Sequence, residues 1–219
     1  MNVQEATTRR LPDLKGRYLP ENCRETINTI LKETYGYEQF RNLEIYDDLS
    51  KGKEKLCISQ GQLIENVILE AEKAWKGETQ VDNILLTAPT GSGKSLLFQL
   101  PAIYLGKEYN LLTIVVSPLK ALIVDQVESL QELGYMRVAY ASSDLSPEQK
   151  MEVYRQVREG EIDLFYLSPE LLLSYDIKHF VGERRIGLVV VDEAHTVTTW
   201  GKEFRVDYWL SLIHISEPT

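Results

Sequence analysis

Eight residues, APTGSGKS from Ala88 to Ser95, constrain this chain more than any other stretch. They follow a short apolar run, NILLTA at 83–88, and lead directly into a run with helical character. Gly91 and Gly93 let the backbone turn tightly and aim its amide groups inward, so that they and a helix N-terminus can cradle phosphate oxygens. Lys94 is placed to reach the β- and γ-phosphates, and the Ser95 hydroxyl to ligate Mg²⁺. Thr90, Gly91, Ser92, Gly93, Lys94 and Ser95 are therefore the expected contacts of ATP and its Mg²⁺. The strict pattern opens on glycine, and Ala88 in that place leaves the contacting part intact. A glycine-rich turn without a ligand is the bland alternative. The strand, loop and helix context argues against it, as does an acidic partner motif further on.

From Asn83 onward, short β-branched runs alternate with longer amphipathic ones, the pattern of a parallel sheet wrapped by helices. Strands are expected at 83–88, 111–117, 137–142, 163–168 and 187–193. The helices between them read GKSLLFQLPAIYL, PLKALIVDQVESLQEL and SPEQKMEVYRQVREG. In the last, Ser146 is the expected N-cap, Pro147 the first helical residue and Gln149 the partner that completes a capping box. The fold class is thus α/β, a P-loop NTPase domain with a parallel β-sheet sandwiched by helices. It occupies residues 58–210. Gln60–Trp75 is its first helix, with Leu63, Ile64, Val67, Ile68 and Ala71 at helical spacing.

Residues 1–57 read as a short N-terminal extension, partly helical. LPENCRETINTILKETYG suits a helix opening at Glu21 or Asn22 and closing at Gly36, and LSKGKEKL suits a polar linker. Residues 211–219 read as a non-native or disordered tail, because SLIHISEPT resembles a translated adapter reading frame.

A chain of 219 residues with 43% hydrophobic composition can bury the core of one such domain. Its longest apolar runs fall far short of the roughly 20 residues a membrane span needs. The opening MNVQEATTRR lacks the apolar core of a signal peptide, so a cytoplasmic location is expected. Cys23 and Cys57 form neither a disulfide framework nor a zinc spacing. The net charge of -9 excludes binding of nucleic acid through a general basic field and leaves only local contacts.

GLVVVDEAH, ending at His195, delivers two carboxylates at the end of an apolar strand, where ligands bind in open parallel sheets. Asp192 is the expected Mg²⁺ holder. Glu193 is expected to orient and deprotonate the water that attacks the γ-phosphate. Two acids after four aliphatic residues are costly with no cation nearby. His195, directly after them, suits a coupling role, although a lone His is more often structural.

In order, APTGSGKS, VVSPLKALIVDQV, YLSPELL and DEAH resemble motifs I, Ia, Ib and II of superfamily 2 helicases. DEAHTVTTWGKEFRVDY is more specific and resembles the aromatic-rich loop of RecQ-type DNA helicases, as RVAYASSDLSPEQK resembles the RecQ segment after motif Ia. The resemblance implies a RecA-like lobe, the first of the two that a translocating helicase needs. It also implies ATP-dependent 3′-to-5′ movement on single-stranded or partly duplex DNA. The second lobe, which would carry an arginine finger, has no counterpart after Tyr208.

On that resemblance Trp200, Phe204 and Arg205 map onto a DNA-facing element that couples binding to hydrolysis. Aromatic faces stack on bases of any sequence for roughly 1–3 kcal/mol each, and Arg adds phosphate and cation–π contacts. Taken alone, two aromatics one helical turn apart also suit a core. Thr199 and Lys202 replace the family's usual Gln and His, which weakens the expected coupling. Ser117, Pro118 and Lys120, at the opening of a helix, are candidate phosphate contacts, and Ser168 repeats the geometry one strand later. Plain helix capping explains either Ser-Pro pair equally well. Leu171 stands where the family tends to have Arg.

The family reads adenine with a Gln upstream of the phosphate loop, after an aromatic and Phe-Arg pattern. YGYEQFRNLE, 35–44, resembles that pattern but has Glu44 in place of the Gln. Gln62, in ISQGQLIENVI, is assigned to adenine because its amide can both donate and accept. Tyr37, Phe40 and Arg41 can join it if the intervening segment loops out. The alternatives carried forward are an RNA helicase or remodelling ATPase of the DEAD/DEAH group, a RecQ-related motor of a bacterial defence system, and a nucleotide-binding interaction module that hydrolyses nothing.

Overall fold

The structure, a computed structural model, describes residues 23–46, 55–84 and 91–192. In chain order the elements are α1 (Glu25–Tyr35), β1 (Asn42–Tyr46), β2 (Lys55–Ser59), α2 (Gln60–Trp75), α3 (Leu96–Tyr109), β3 (Leu112–Val116) and α4 (Lys120–Glu132). They continue with β4 (Val138–Ala141), α5 (Pro147–Glu159), β5 (Leu164–Leu167), α6 (Pro169–Ser174), α7 (Ile177–Val181) and β6 (Ile186–Val191).

β3 to β6 form one parallel sheet in the order β4-β5-β3-β6. β3 is buried along its whole length, which is why LTIVV carries no exposed polar face. The period of two splits its side chains between two cores. Leu112, Ile114 and Val116, with Phe165 and Leu167 of β5, meet Tyr154, Val157, Leu172 and Phe180 of α5, α6 and α7. Val115, with Leu164 and Tyr166, meets apolar residues of α1, α2, α3 and α4. The expected helix–sheet–helix sandwich is thus present.

Local signals set the element ends. Ser146 Oγ accepts from Gln149 N at 3.2 Å while Gln149 Oε1 accepts from Ser146 N at 2.9 Å, the reciprocal cap read from the sequence. α1 closes at Gly36 in the left-handed region, φ 70°. It opens at Glu25 rather than at Glu21 or Asn22, and Arg24 lies outside the helix. The Arg24 side chain lies 2.6 Å from Glu65 and 2.6 Å from Glu72 of α2, with its guanidinium over the Tyr104 ring of α3. Ile27, Ile30 and Leu31 of α1 are buried in the same core as Ile64 and Ile68 of α2. Burial, and then the neighbouring Glu65 carboxylate, push the Cys23 thiol up to about 12, so it stays protonated and unreactive.

Of the linker expected at LSKGKEKL, residues 49–54 lie outside the described residues, and the structure corrects only its end. Its last residues, Lys55 and Leu56, belong to β2, which pairs antiparallel with β1 in the register Asn42↔Ser59. Short runs with weak alternation do not announce themselves as strands until a partner is known. Of the strand expected at 83–88, residues 85–88 lie outside the described residues, and Asn83 and Ile84 are irregular.

At the amino end of the sheet, fully buried Asp163 receives Arg137 Nε at 2.6 Å and Arg184 Nη2 at 2.9 Å. Gly106, near the end of α3, lies so close that a Cβ there would stand 2.4 Å from the Asp163 carboxyl carbon. This contact fixes the polarity of α3. Its C-terminal end lies where β5 begins, and its fourteen residues rise roughly 21 Å towards the other end of the sheet.

Candidate nucleotide and nucleic-acid site

The carboxyl end of the sheet collects the described part of the expected site. Asp192 N donates to the Val116 carbonyl at 2.9 Å, and Ser117 N donates to the Leu167 carbonyl at 3.1 Å. Asp192, Ser117 and Ser168 therefore stand side by side at the ends of β6, β3 and β5. The phosphate loop reaches the same end, because α3 begins there. Gln99, four residues after Ser95, donates to the Tyr166 hydroxyl near the end of β5 at 3.1 Å. Leu188 and Val190 of β6 pack on the core that includes Leu96, Leu97 and Leu100 of α3. The helix that follows the loop thus lies on the strand that leads into Asp192.

In the loop itself, Gly91 has φ 81° and Gly93 φ 77°, a left-handed conformation that side chains with a Cβ rarely adopt. Helical bonds begin with Leu96 N to the Gly93 carbonyl and Leu97 N to the Lys94 carbonyl. Among the described residues the amides before them meet no backbone acceptor, as at any helix start. Ser92 Oγ is buried with no partner among the described residues. Positive-φ glycines, a helix start and a buried hydroxyl with no partner among the described residues are the donor chemistry that fits a phosphate chain. Lys94 and Ser95 are half-buried at its edge.

The adenine side resolves a puzzle that spacing alone left open. The β1–β2 hairpin carries the chain out after Arg41 and returns it at Gln60, so the two residues become neighbours. Gln60 N donates to the Arg41 carbonyl at 2.9 Å, and Gln60 Oε1 accepts from Arg41 N at 3.2 Å. Phe40 lies against Gly61, where a Cβ would stand 2.7 Å from the ring. The Phe-Arg pattern and the Gln62 segment, separated in sequence, are thus one locus. Gln62 is the third residue of α2, and its Oε1 accepts from Ser59 N at 3.0 Å within a capping box. Tyr37 lies farther out, with its ring stacked on Tyr35 at 6.4 Å.

On the nucleic-acid side the expected residues divide by exposure. Ser117 and Ser168 are each only 1% exposed, which keeps their hydroxyls off the surface, and Ser117 Oγ has no partner among the described residues. Pro118, Leu119 and Lys120, with Ala121, Leu122 and Asp125, line an open groove at the start of α4. Leu119 is 55% exposed there. Lys120 Nζ donates to Asp144 at 2.9 Å and to the Ser143 hydroxyl. Thr90, Glu193, His195, Trp200, Phe204 and Arg205 lie outside the described residues.

Two groups escaped the sequence reading. Gln60, 2% exposed, donates through Nε2 to the Ser92 carbonyl of the phosphate loop at 3.0 Å. A buried polar chain also runs from Tyr35 through Gln99 and Tyr166 to Gln126. Its only signal is a glutamine inside the apolar stretch LLFQLPA and another beside Asp125 in LIVDQV.

Among the described residues no helix is long and apolar enough to cross a membrane. An ATP-dependent DNA helicase RecQ of Haemophilus influenzae is 30% identical over 183 residues, covering 84% of this chain and 24% of its own. The RecQ helicase of Synechocystis sp. is 33% identical over 187 residues, covering 84% of this chain and 32% of its own. The chain therefore spans about a quarter to a third of the length of these curated relatives. The crystal structure of the DUF1998 helicase MrfA bound to DNA aligns at a TM-score of 0.49 and 22% identity, over 82% of this chain and 21% of MrfA. A model of the DEAD/DEAH box helicase family matches residues 63–218, and the chain belongs to that family.

Proposed function

We propose that this chain is the ATP-binding first motor lobe of a RecQ-like DNA helicase. In complete form it would couple Mg-ATP hydrolysis to 3′-to-5′ movement on single-stranded DNA and to unwinding. The observation that carries this reading is the shared position of the phosphate loop and Asp192 at the carboxyl end of one parallel sheet. The names of the relatives support DNA over RNA.

The residues then divide the work. Loop amides of Gly91 to Ser95 and the Lys94 ammonium hold the triphosphate, in a site where fixed dipoles need no reorganisation. Ser95 and Asp192 would hold Mg²⁺, which supplies charge neutralisation between the phosphates when bound. Glu193 orients and deprotonates the attacking water, and His195 passes the state of the site onward. Gln62 reads the adenine edge, exchanging its capping bond to Ser59 for the base, and Phe40 and Arg41 flank it. DNA runs past the starts of α4 and α6. There Lys120, Pro118 and the backbone beside buried Ser117 and Ser168 meet phosphates, while Trp200, Phe204 and Arg205 stack on and pair with the strand. A second RecA-like lobe supplies the arginine finger.

Mg-ATP binding and turnover by wild type, Lys94→Ala and Glu193→Gln test the reading. Lys94→Ala should lose binding, and Glu193→Gln should bind but not hydrolyse. Equal turnover by wild type and Glu193→Gln would end the assignment. Stimulation by RNA in place of single-stranded DNA would move the protein to an RNA-directed motor.

A further inference from the structure

Gln60 has no role in the nucleotide chemistry derived above, yet it is a buried residue that ties the base of the N-terminal hairpin to the phosphate loop. Its carboxamide is used at both ends. Oε1 accepts from Arg41 N at 3.2 Å, and Nε2 donates to the Ser92 carbonyl at 3.0 Å. The reverse orientation would set oxygen against the Ser92 carbonyl and NH₂ against the Arg41 N–H, so the partners fix which end faces the loop. The backbone of Gln60 is itself held by the Arg41 carbonyl at 2.9 Å.

The consequence follows from peptide geometry. In a planar trans peptide the carbonyl of one residue and the N–H of the next point in opposite directions. Drawing the Ser92 carbonyl outward to Gln60 therefore turns the Gly93 N–H inward, to the side where phosphate oxygens are expected. Gly93 holds φ 77° there, and a Cβ on it would stand 2.7 Å from Gln60 Nε2, so the loop and the glutamine are fitted to each other.

We infer that Gln60 is a positioning residue for the phosphate half of the nucleotide: by anchoring the Ser92 carbonyl it preorganises the Gly93 amide as a phosphate donor. The inference rests on the proposed nucleotide site and adds to it a residue outside the loop. Gln60 acts on the triphosphate and not on the base.

The test is calorimetric titration of wild type, Gln60→Met and Gln60→Glu with magnesium tripolyphosphate and, separately, with adenosine. Methionine keeps the length and removes the donor. Gln60→Met should bind tripolyphosphate about fivefold to tenfold more weakly, the worth of one hydrogen bond, with adenosine affinity unchanged. Gln60→Glu should be weaker still, because a carboxylate repels both the Ser92 carbonyl and the ligand. Unchanged tripolyphosphate affinity in Gln60→Met, or an equal loss for adenosine, overturns the inference. Should neither variant fold, the wild-type Gly93 amide proton decides: it should move downfield on titration with pyrophosphate, and an unmoved resonance overturns the inference. If wild type binds no tripolyphosphate, or Lys94→Ala binds it as well, the nucleotide site itself fails. If only Gln60→Met is unaffected, the site stands and Gln60 has no part in it.

Discussion

The Tyr166 hydroxyl donates to Gln126 Oε1 at 2.9 Å inside the core between the sheet and α4. Gln99 Nε2 donates to the same hydroxyl at 3.1 Å, and Gln99 Oε1 accepts from Tyr35 at 2.9 Å. The chain of bonds thus joins α1, the phosphate-loop helix, the motif Ia helix and the strand leading to Ser168. Burial holds the Tyr35 and Tyr166 phenols well above the ordinary tyrosine range, so both stay protonated donors. Tyr166→Phe leaves Gln126 without its short donor and Gln99 without an acceptor at normal distance. The variant should lose roughly 1–3 kcal/mol of stability, read as a lower urea midpoint at unchanged slope. An unchanged midpoint would show the network to be energetically idle.

Gly106→Ala sets two effects against each other. Alanine is favoured over glycine inside a helix by up to about 1 kcal/mol. A Cβ at 106 would meet Asp163 at 2.4 Å, and that side chain cannot move, because two arginines and the Tyr135 hydroxyl hold it. Overpacking costs typically about 1–3 kcal/mol, so it should win and the variant should melt below wild type. A rise in melting temperature would mean that the approach of α3 to β5 is looser than described.

Arg24→Ala should destabilise by about 3 kcal/mol, the low end for a broken buried ion pair because Arg24 itself is partly exposed, since it strips the cation from Glu65 and Glu72, both buried. It also changes the pH profile. Burial works against the Glu72 anion, but hydrogen bonds from Arg24, Tyr109 and Tyr104 outweigh it and hold the carboxyl below its ordinary value. A depressed acid contributes stability in full above its unfolded value of 4.5, and that contribution is lost as pH falls through the lower folded value. Wild type should therefore lose stability on acidification below about pH 4.5, and Arg24→Ala should lose less over the same window. Parallel profiles for the two proteins would rule out the Arg24–Glu72 linkage.

How much of this was legible in the sequence depended on the range of the signal. The parallel strands and α2 announced themselves through periodicity, and α5 through Ser146, Pro147 and Gln149, all local features. The hairpin did not, because β1 and β2 stabilise each other across a segment of unremarkable polar composition. That one omission separated Arg41 from Gln60 on paper, although the fold places them in contact. Exposure was equally illegible: Ser117 and Ser168 sit in a sequence pattern that suits phosphate binding, while the ends of β3 and β5 bury both hydroxyls. Gln60, Gln99 and Gln126 were missed for the same reason, since a glutamine's partners lie in other elements.

On the proposed function, Lys120 offers a last prediction that reads charge competition directly. Its ammonium holds the Asp144 carboxyl below the ordinary carboxylate range through a 2.9 Å bond on an exposed surface. A DNA phosphate must replace Asp144 at Lys120, and it meets the repulsion of that carboxylate on approach. Asp144→Asn removes the competitor and leaves the cation in place. It should bind an oligo-dT strand roughly twofold to fivefold more tightly, in keeping with the small worth of an exposed ion pair. Lys120→Ala should bind more weakly and lower the slope of log affinity against log salt by about 0.7, the value of one phosphate contact on a single strand. Fluorescence anisotropy across a salt series measures both. If Lys120→Ala weakens binding with no change in slope, Lys120 supports the groove at the start of α4 by packing. If neither substitution alters binding, the strand passes elsewhere.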